Sequence, residues 1–197
     1  MSLNQYSDQH NLYQPDVFKD NCGFGLIAHT HGEASHDLVQ TAIHSLSCMT
    51  HRGGVAADGL TGDGCGLLIR KPDAFLRALA SEAGIETGPR YAAGLVFLPH
   101  DQQQAAQARA VREEELRRAG TSVRGWRVLP TDDSVCGQLA KDTLPHIEQV
   151  FVDAGDGQDE DAFTLALFLA RRRAEQRLHD FIVGIFPVVD RAGYALS

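Results

Sequence analysis

From residue 66 onward the chain alternates apolar stretches of strand length with longer helical patterns, and glycines stand at the ends of two of the helices. Residues 66–70, GLLIR, read as a strand, and residues 72–83 as a helix that Gly84 stops. Residues 91–98 form a second apolar strand. Residues 102–119 intersperse Glu and Arg, with Gly120 next, which predicts an outer, solvated helix. Residues 122–129 and 147–152 read as strands, and residues 161–179 as a long helix. That helix is apolar in its first half and carries Arg171, Arg172, Arg173 and Arg177 in its second, where positive charge suits the dipole. Upstream, residues 37–50 place Leu38, Ala42, Ile43, Leu46 and Met49 at helical spacing. The pattern is that of a mixed helix and strand protein, and 197 residues suit one domain or an incomplete larger one.

Charge narrows the partners. A formal net charge of -8 argues against nucleic acid and anionic membrane surfaces, which recruit clustered Lys and Arg. The apolar run at 181–189 is interrupted by Pro187 and falls short of the roughly 20 residues that span a bilayer. Residues 1–21 are polar and acidic, without the apolar core of a secretory signal, so the expected compartment is the cytoplasm and the four cysteines are expected to be reduced.

Those cysteines, Cys22, Cys48, Cys65 and Cys136, include no C-x-x-C pair. His44, Cys48 and His51 would share one face of the 37–50 helix, a spacing open to a metal. The same helix already has a packing stripe, and the spacing alone is unspecific. The acidic segment 153–162 resembles a calcium loop, but Asp153, Asp156 and Asp159 are three apart and break the required alternation, leaving a surface turn. Gly23 and Gly25, and later Gly62, Gly64 and Gly66, do not connect a strand to a helix N-terminus, so neither group is a phosphate cradle.

The segment Asp20-Asn-Cys22-Gly-Phe-Gly-Leu-Ile-Ala28 resembles the N-terminal domain of glutamate synthase large chains, a class II glutamine amidotransferase domain. The resemblance continues through 42–48, His51-Arg-Gly53, Ala57-Asp-Gly59 and Thr61-Gly-Asp-Gly64, and resumes at 149–153 and 168–175. It implies an α+β fold, part of a four-layer αββα sandwich of the N-terminal-nucleophile hydrolases. It divides the chain into a propeptide-like leader at 1–21, the N-terminal part of the amidotransferase domain at 22–180, and a divergent tail at 181–197. His51, Arg52 and Asp63 fall in matching loops and are read as supporting the site. Cys22 is the residue implied to be catalytic, with L-glutamine as substrate. No cofactor or metal site is expected in this chain: the resemblance puts FMN and an iron-sulfur cluster in later domains and electron delivery on a separate glutamate synthase small chain.

Chemistry supports the assignment of Cys22. An internal cysteine in an apolar strand is ordinarily a small buried hydrophobe. Cleavage after Asn21 would give it a free α-amine, whose pKa of about 7.7 to 8.0 makes it a base near neutral pH. The thiolate would attack the glutamine carboxamide, release ammonia and leave a thioester for water to hydrolyse. The family's Arg-Phe-Ser-Thr and Asn-Gly-Glu segments, which hold substrate and oxyanion, do not occur in this sequence. That leaves a second expectation, a non-catalytic remnant or interaction fragment. Resemblance fades near Asp180, and Pro187 removes a donor from the following apolar stretch, so ordinary strand pairing is not expected there and a truncated or frame-shifted product is.

Overall fold

A computed structural model describes residues 23–49, 53–62 and 64–178, together with the backbone of 185–188. These residues fall into two units: residues up to 56 with 62–65, and residues 57–61 with 66 onward.

Among the described residues of the first unit the one helix is α1, His36–Cys48. Ser35 caps it, its hydroxyl accepting from the Leu38 amide at 3.2 Å, and Asp37 adds negative charge to the first turn. No residue of α1 is buried, although its apolar spacing is regular.

The second unit is built on one antiparallel sheet. In chain order its elements are α2 (Asp73–Glu82), β1 (Tyr91–Leu98), α3 (Gln102–Arg118), β2 (Ser122–Val128), α4 (Gln138–Thr143), β3 (His146–Asp153), α5 (Glu160–Arg177) and β4 (Ile185–Val188). The strand order is β2-β3-β1-β4. Central β1 and β3 pair over their full length, from Tyr91 opposite Asp153 to Leu98 opposite His146. Side chains alternate across a strand, and both faces of β1 and β3 are used. Ala92, Val96, Leu98, Val150 and Val152 pack under α3 and α5, against Ala105, Ala108, Leu116, Phe163 and Ala170. Alanine at the helix contacts permits close approach. On the opposite face Tyr91, Ala93 and Phe151 join Leu76, Ala80 and Ile85. A bulge between Val123 and Gly125 lets Gly125 pass Ile85, where a Cβ would come within 2.7 Å of its side chain.

Several sequence expectations need correction. Residues 66–70 form no strand, and Leu67, Leu68 and Ile69 are exposed: an apolar run becomes a strand only when a ladder partner satisfies its backbone. Helix α3 exposes one face to solvent as expected, but its other face buries Arg112 and Glu115 alongside Ala105, Ala108 and Leu116. Both Nε and the two Nη of Arg112 lack a hydrogen-bond partner among the described residues, and burial holds its pKa down to about 10. The arginines of α5 serve more than the dipole, for Arg177 pairs with Glu114 at 2.8 Å and Arg171 lies 3.5 Å from Glu175. Pro187 does not prevent pairing: β4 runs antiparallel to β1 with Pro187 opposite Gly94. It is tolerated because β4 lies at the sheet edge, where a missing donor costs least. Gly84 and Gly120 do occupy left-handed positions after α2 and α3, with φ of 69° and 78°.

Candidate active site

The nucleophile candidate Cys22 lies outside the described residues, as do His51, Arg52 and Asp63. Immediately after Cys22 the chain is irregular. Phe24 and Leu26 are 91% and 90% exposed, and a Cβ on Gly25 would meet nothing within 4 Å. Nothing in the described structure therefore requires glycine at position 25.

The paired metal candidates His44 and Cys48 approach on one turn of α1, Nε2 to Sγ at 3.8 Å. Among the described residues no three His, Cys, Asp or Glu side chains gather as a metal set, and the third candidate, His51, is outside them. Cys48 and Cys65 are exposed thiols and Cys136 is half-buried.

The glycine-rich motif loop is divided between the units. In the first, Val55 and Gly62 form an isolated antiparallel bridge. In the second, Asp58 organises residues 57–61. Its Oδ1 accepts from the Leu60 and Thr61 amides at 3.1 and 2.8 Å, and its Oδ2 accepts from the Thr61 hydroxyl at 2.5 Å. Gly59 sits between them with φ of 70°, a backbone state that suits glycine.

This turn is latched to the start of α4. The Leu139 amide donates to Asp58 Oδ2 and the Ala140 amide to Thr61 Oγ1, both at 3.3 Å. Gly137 closes the contact: a Cβ there would collide with the Asp58 carboxylate and the Thr61 hydroxyl. Four donors converge on one carboxylate. The Thr61 hydroxyl first, then the Thr61 amide, with smaller help from Leu60 and Leu139, bring the Asp58 pKa from its usual 3.8 to about 2. Sequence reasoning placed Ala57-Asp58-Gly59 and Thr61 within a motif but missed Gly137 and α4 as their receptor. The available signal was slight, one glycine after a polar loop.

The acidic segment does what its spacing suggested, making turns and caps. Asp159 accepts from the Ala162 amide at 2.8 Å as the N-cap of α5, and Gly157 adopts φ of 75°. The two carboxylate oxygens of Asp153 share the single Gly88 amide donor, at 3.0 and 2.9 Å, and Oδ2 lies 3.3 Å from Arg124. No helix of the described residues is long and apolar enough to cross a membrane.

Comparison with known families matches residues 22–184 to the class-II glutamine amidotransferases. Among curated proteins, the chain is similar to the glutamate synthase (NADPH) large chain of Bacillus subtilis strain 168, 34% identical over 176 residues, covering 89% of this chain and 12% of the relative. It is 37% identical over 185 residues to ferredoxin-dependent glutamate synthase 2 of Synechocystis, covering 91% and 12%. The chloroplastic ferredoxin-dependent glutamate synthase of Oryza sativa is 36% identical over 157 residues, covering 79% and 10%. The chain therefore spans about one-eighth of the length of these relatives.

Proposed function

The chain belongs to the class-II glutamine amidotransferase family, and from that premise we propose that it is the glutaminase portion of a glutamate synthase, with Cys22 as its N-terminal nucleophile. One observation carries the assignment: the family match begins at Cys22 itself, on Cys-Gly-Phe-Gly-Leu-Ile-Ala, directly after the leader-like residues 1–21. The mixed helix and sheet unit is compatible with one half of a four-layer αββα sandwich, which is the fold we assign to the complete domain.

In this reading, removal of residues 1–21 frees the Cys22 α-amine. The amine takes the thiol proton and the thiolate attacks the side-chain carboxamide carbon of L-glutamine. The C–N bond then breaks as the amine returns the proton to the leaving nitrogen, releasing ammonia and a γ-glutamyl thioester. Water adds to the thioester carbonyl, the C–S bond breaks, and glutamate departs with the thiol regenerated. The ammonia is destined for 2-oxoglutarate. FMN, the iron-sulfur cluster and the glutamate synthase small chain belong to later steps of the full-length enzyme and enter none of these. The same reading places the chain in the cytoplasm.

Intact-mass spectrometry and a glutaminase assay on the 197-residue chain test the proposal. The expected result is a mature N-terminus at Cys22 and glutamate release that Cys22→Ala abolishes. Retention of residues 1–21 with no glutamate release would instead identify a non-catalytic fragment of the domain.

A further inference from the structure

Helix α5 is apolar nearly all round between Ala162 and Ala170, with Thr164 the exception. Its inner stripe, Phe163, Ala166, Ala170 and Ala174, is buried. The outer stripe is not: Leu165 is 56% exposed, and Phe168 and Leu169 are each 37% exposed. A helix with one covered side ordinarily keeps polar residues on the other, and a contiguous apolar strip left in solvent marks a contact surface.

The order of residues along that strip says what covers it. Side chains three and four apart share a helix face, which lines up Asp161, Leu165, Phe168 and Arg172, with Leu169 beside them. This is the spacing of a coiled-coil seam. Read from either end, the line has the same apolar centre and opposite charges at its tips. Leu165 and Phe168 are equally distant from the midpoint between Ala166 and Leu167, and so, further out, are Asp161 and Arg172.

We propose that this face of α5 is a homodimer interface, in which the α5 helices of two copies lie antiparallel across a twofold axis at that midpoint. The axis sets Leu165 against Phe168 of the second copy and Asp161 against Arg172 of the second copy, each contact occurring twice. Charge fixes the direction, because parallel helices in register would bring Asp161 to Asp161 and Arg172 to Arg172. The Arg172 side chain is 56% exposed, and the 3.0 Å contact of its Nη1 with Glu175 leaves further donors of a five-donor guanidinium. Asp161 is exposed as well, in the first turn of the helix. An anionic membrane is a poorer occupant, since Asp161 stands in the line and the chain carries a net charge of -8. A seam one helix long belongs with small interfaces, below about 1,200 Å², so the dimer is a weak one.

Sedimentation equilibrium of the 197-residue chain across the micromolar range tests this, in reducing buffer because Cys48 and Cys65 are exposed. The parent should show a monomer–dimer equilibrium. Asp161→Arg and Arg172→Asp should each weaken the dimer about tenfold, since either one turns two attractive contacts into repulsive ones. An equimolar mixture of the two variants should recover the parent's affinity, because each contact of the mixed dimer again joins an arginine to an aspartate. Recovery requires both variants to be folded, so a failed fold cannot imitate it. Leu165→Glu should weaken the dimer at least as much by placing a carboxylate in the apolar centre of each copy. A folded parent that stays monomeric across the range overturns the dimer and leaves the strip to a different protein. A dimer that survives Leu165→Glu, or a mixture of the charge variants as weak as either alone, overturns the assignment of this face.

Discussion

Helices α1 and α5 begin alike and end up in different circumstances. Each has an oxygen-bearing cap, Ser35 or Asp159, accepting from the amide three residues on, and each carries negative charge in its first turn, Asp37 in α1 and Glu160 and Asp161 in α5. Yet α5 buries Phe163, Ala166, Ala170 and Ala174 whereas α1 buries nothing. Local signals suffice to start a helix, but the energy that holds it comes from an apolar face with something to pack on. The same contrast separates the two units: Phe151 in β3 is 0% exposed, while Phe24, two residues after Cys22, is almost wholly exposed.

The largest expected effect measures that contrast directly. Phe151→Ala should cost roughly 3–5 kcal/mol in urea unfolding, because it empties a fully buried position in the cluster it shares with Leu76, Ile85 and Tyr91. Leu26→Ala should stay within about 0.5 kcal/mol. A cost at Leu26 comparable with that at Phe151 would break the comparison by showing that the segment after Cys22 is packed in solution. Next in size is Gly137→Ala, which should cost roughly 1–3 kcal/mol, since the added Cβ drives Asp58 and Thr61 off α4. Hydrogen exchange at the Leu139 and Ala140 amides should accelerate in that variant.

The two caps sharpen the comparison further. Asp159→Ala should lower global stability by about 1 kcal/mol, because α5 unfolds with the sheet it covers. Ser35→Ala should fray α1, seen as faster exchange at Leu38 and its neighbours, and leave the unfolding midpoint of the sheet unit in place. A matching loss of global stability from both variants would mean that α1 shares the cooperative unit of α5.

Much of the packed unit was legible in the sequence. Strand β1 has the predicted bounds, and helices α2, α3 and α5 differ by one or two residues, because a long period or a long apolar run carries its own evidence. Helix α4 was missed because six residues are under two turns, too few for periodicity to register. The strand at 66–70 was predicted and is absent, and β4 was doubted and is present, for a common reason: pairing depends on a partner remote in sequence. The burial of Arg112 and Glu115 was also invisible, since long charged side chains ordinarily signal solvent. For the candidate site the legible part was the family, whose match begins at Cys22, the residue proposed as nucleophile, which lies outside the described residues. The latch of Asp58 and Thr61 on Gly137 joins positions nearly eighty residues apart, which no local pattern encodes.

That latch gives the smallest effect, one of pH dependence. The Asp58 pKa is lowered from 3.8 to about 2, chiefly by the Thr61 hydroxyl and then by the Thr61 amide. A lowered carboxylate pKa means that the latch's contribution is fully present above about 3.8 and is lost as pH falls through about 2. After correction for intrinsic exchange chemistry, protection at the Thr61 and Leu139 amides should therefore be level from neutral pH down to about 4 and fall only below it. Asp58→Asn should remove the step altogether, because an amide oxygen does not titrate and one acceptor of the pair becomes a donor. A step centred at or above the ordinary carboxylate range would mean that these donors do not converge on Asp58 in solution. The latched loop would then be as loosely held as the segment after Cys22, and the contrast between the two would end at residue 66 rather than at residue 57.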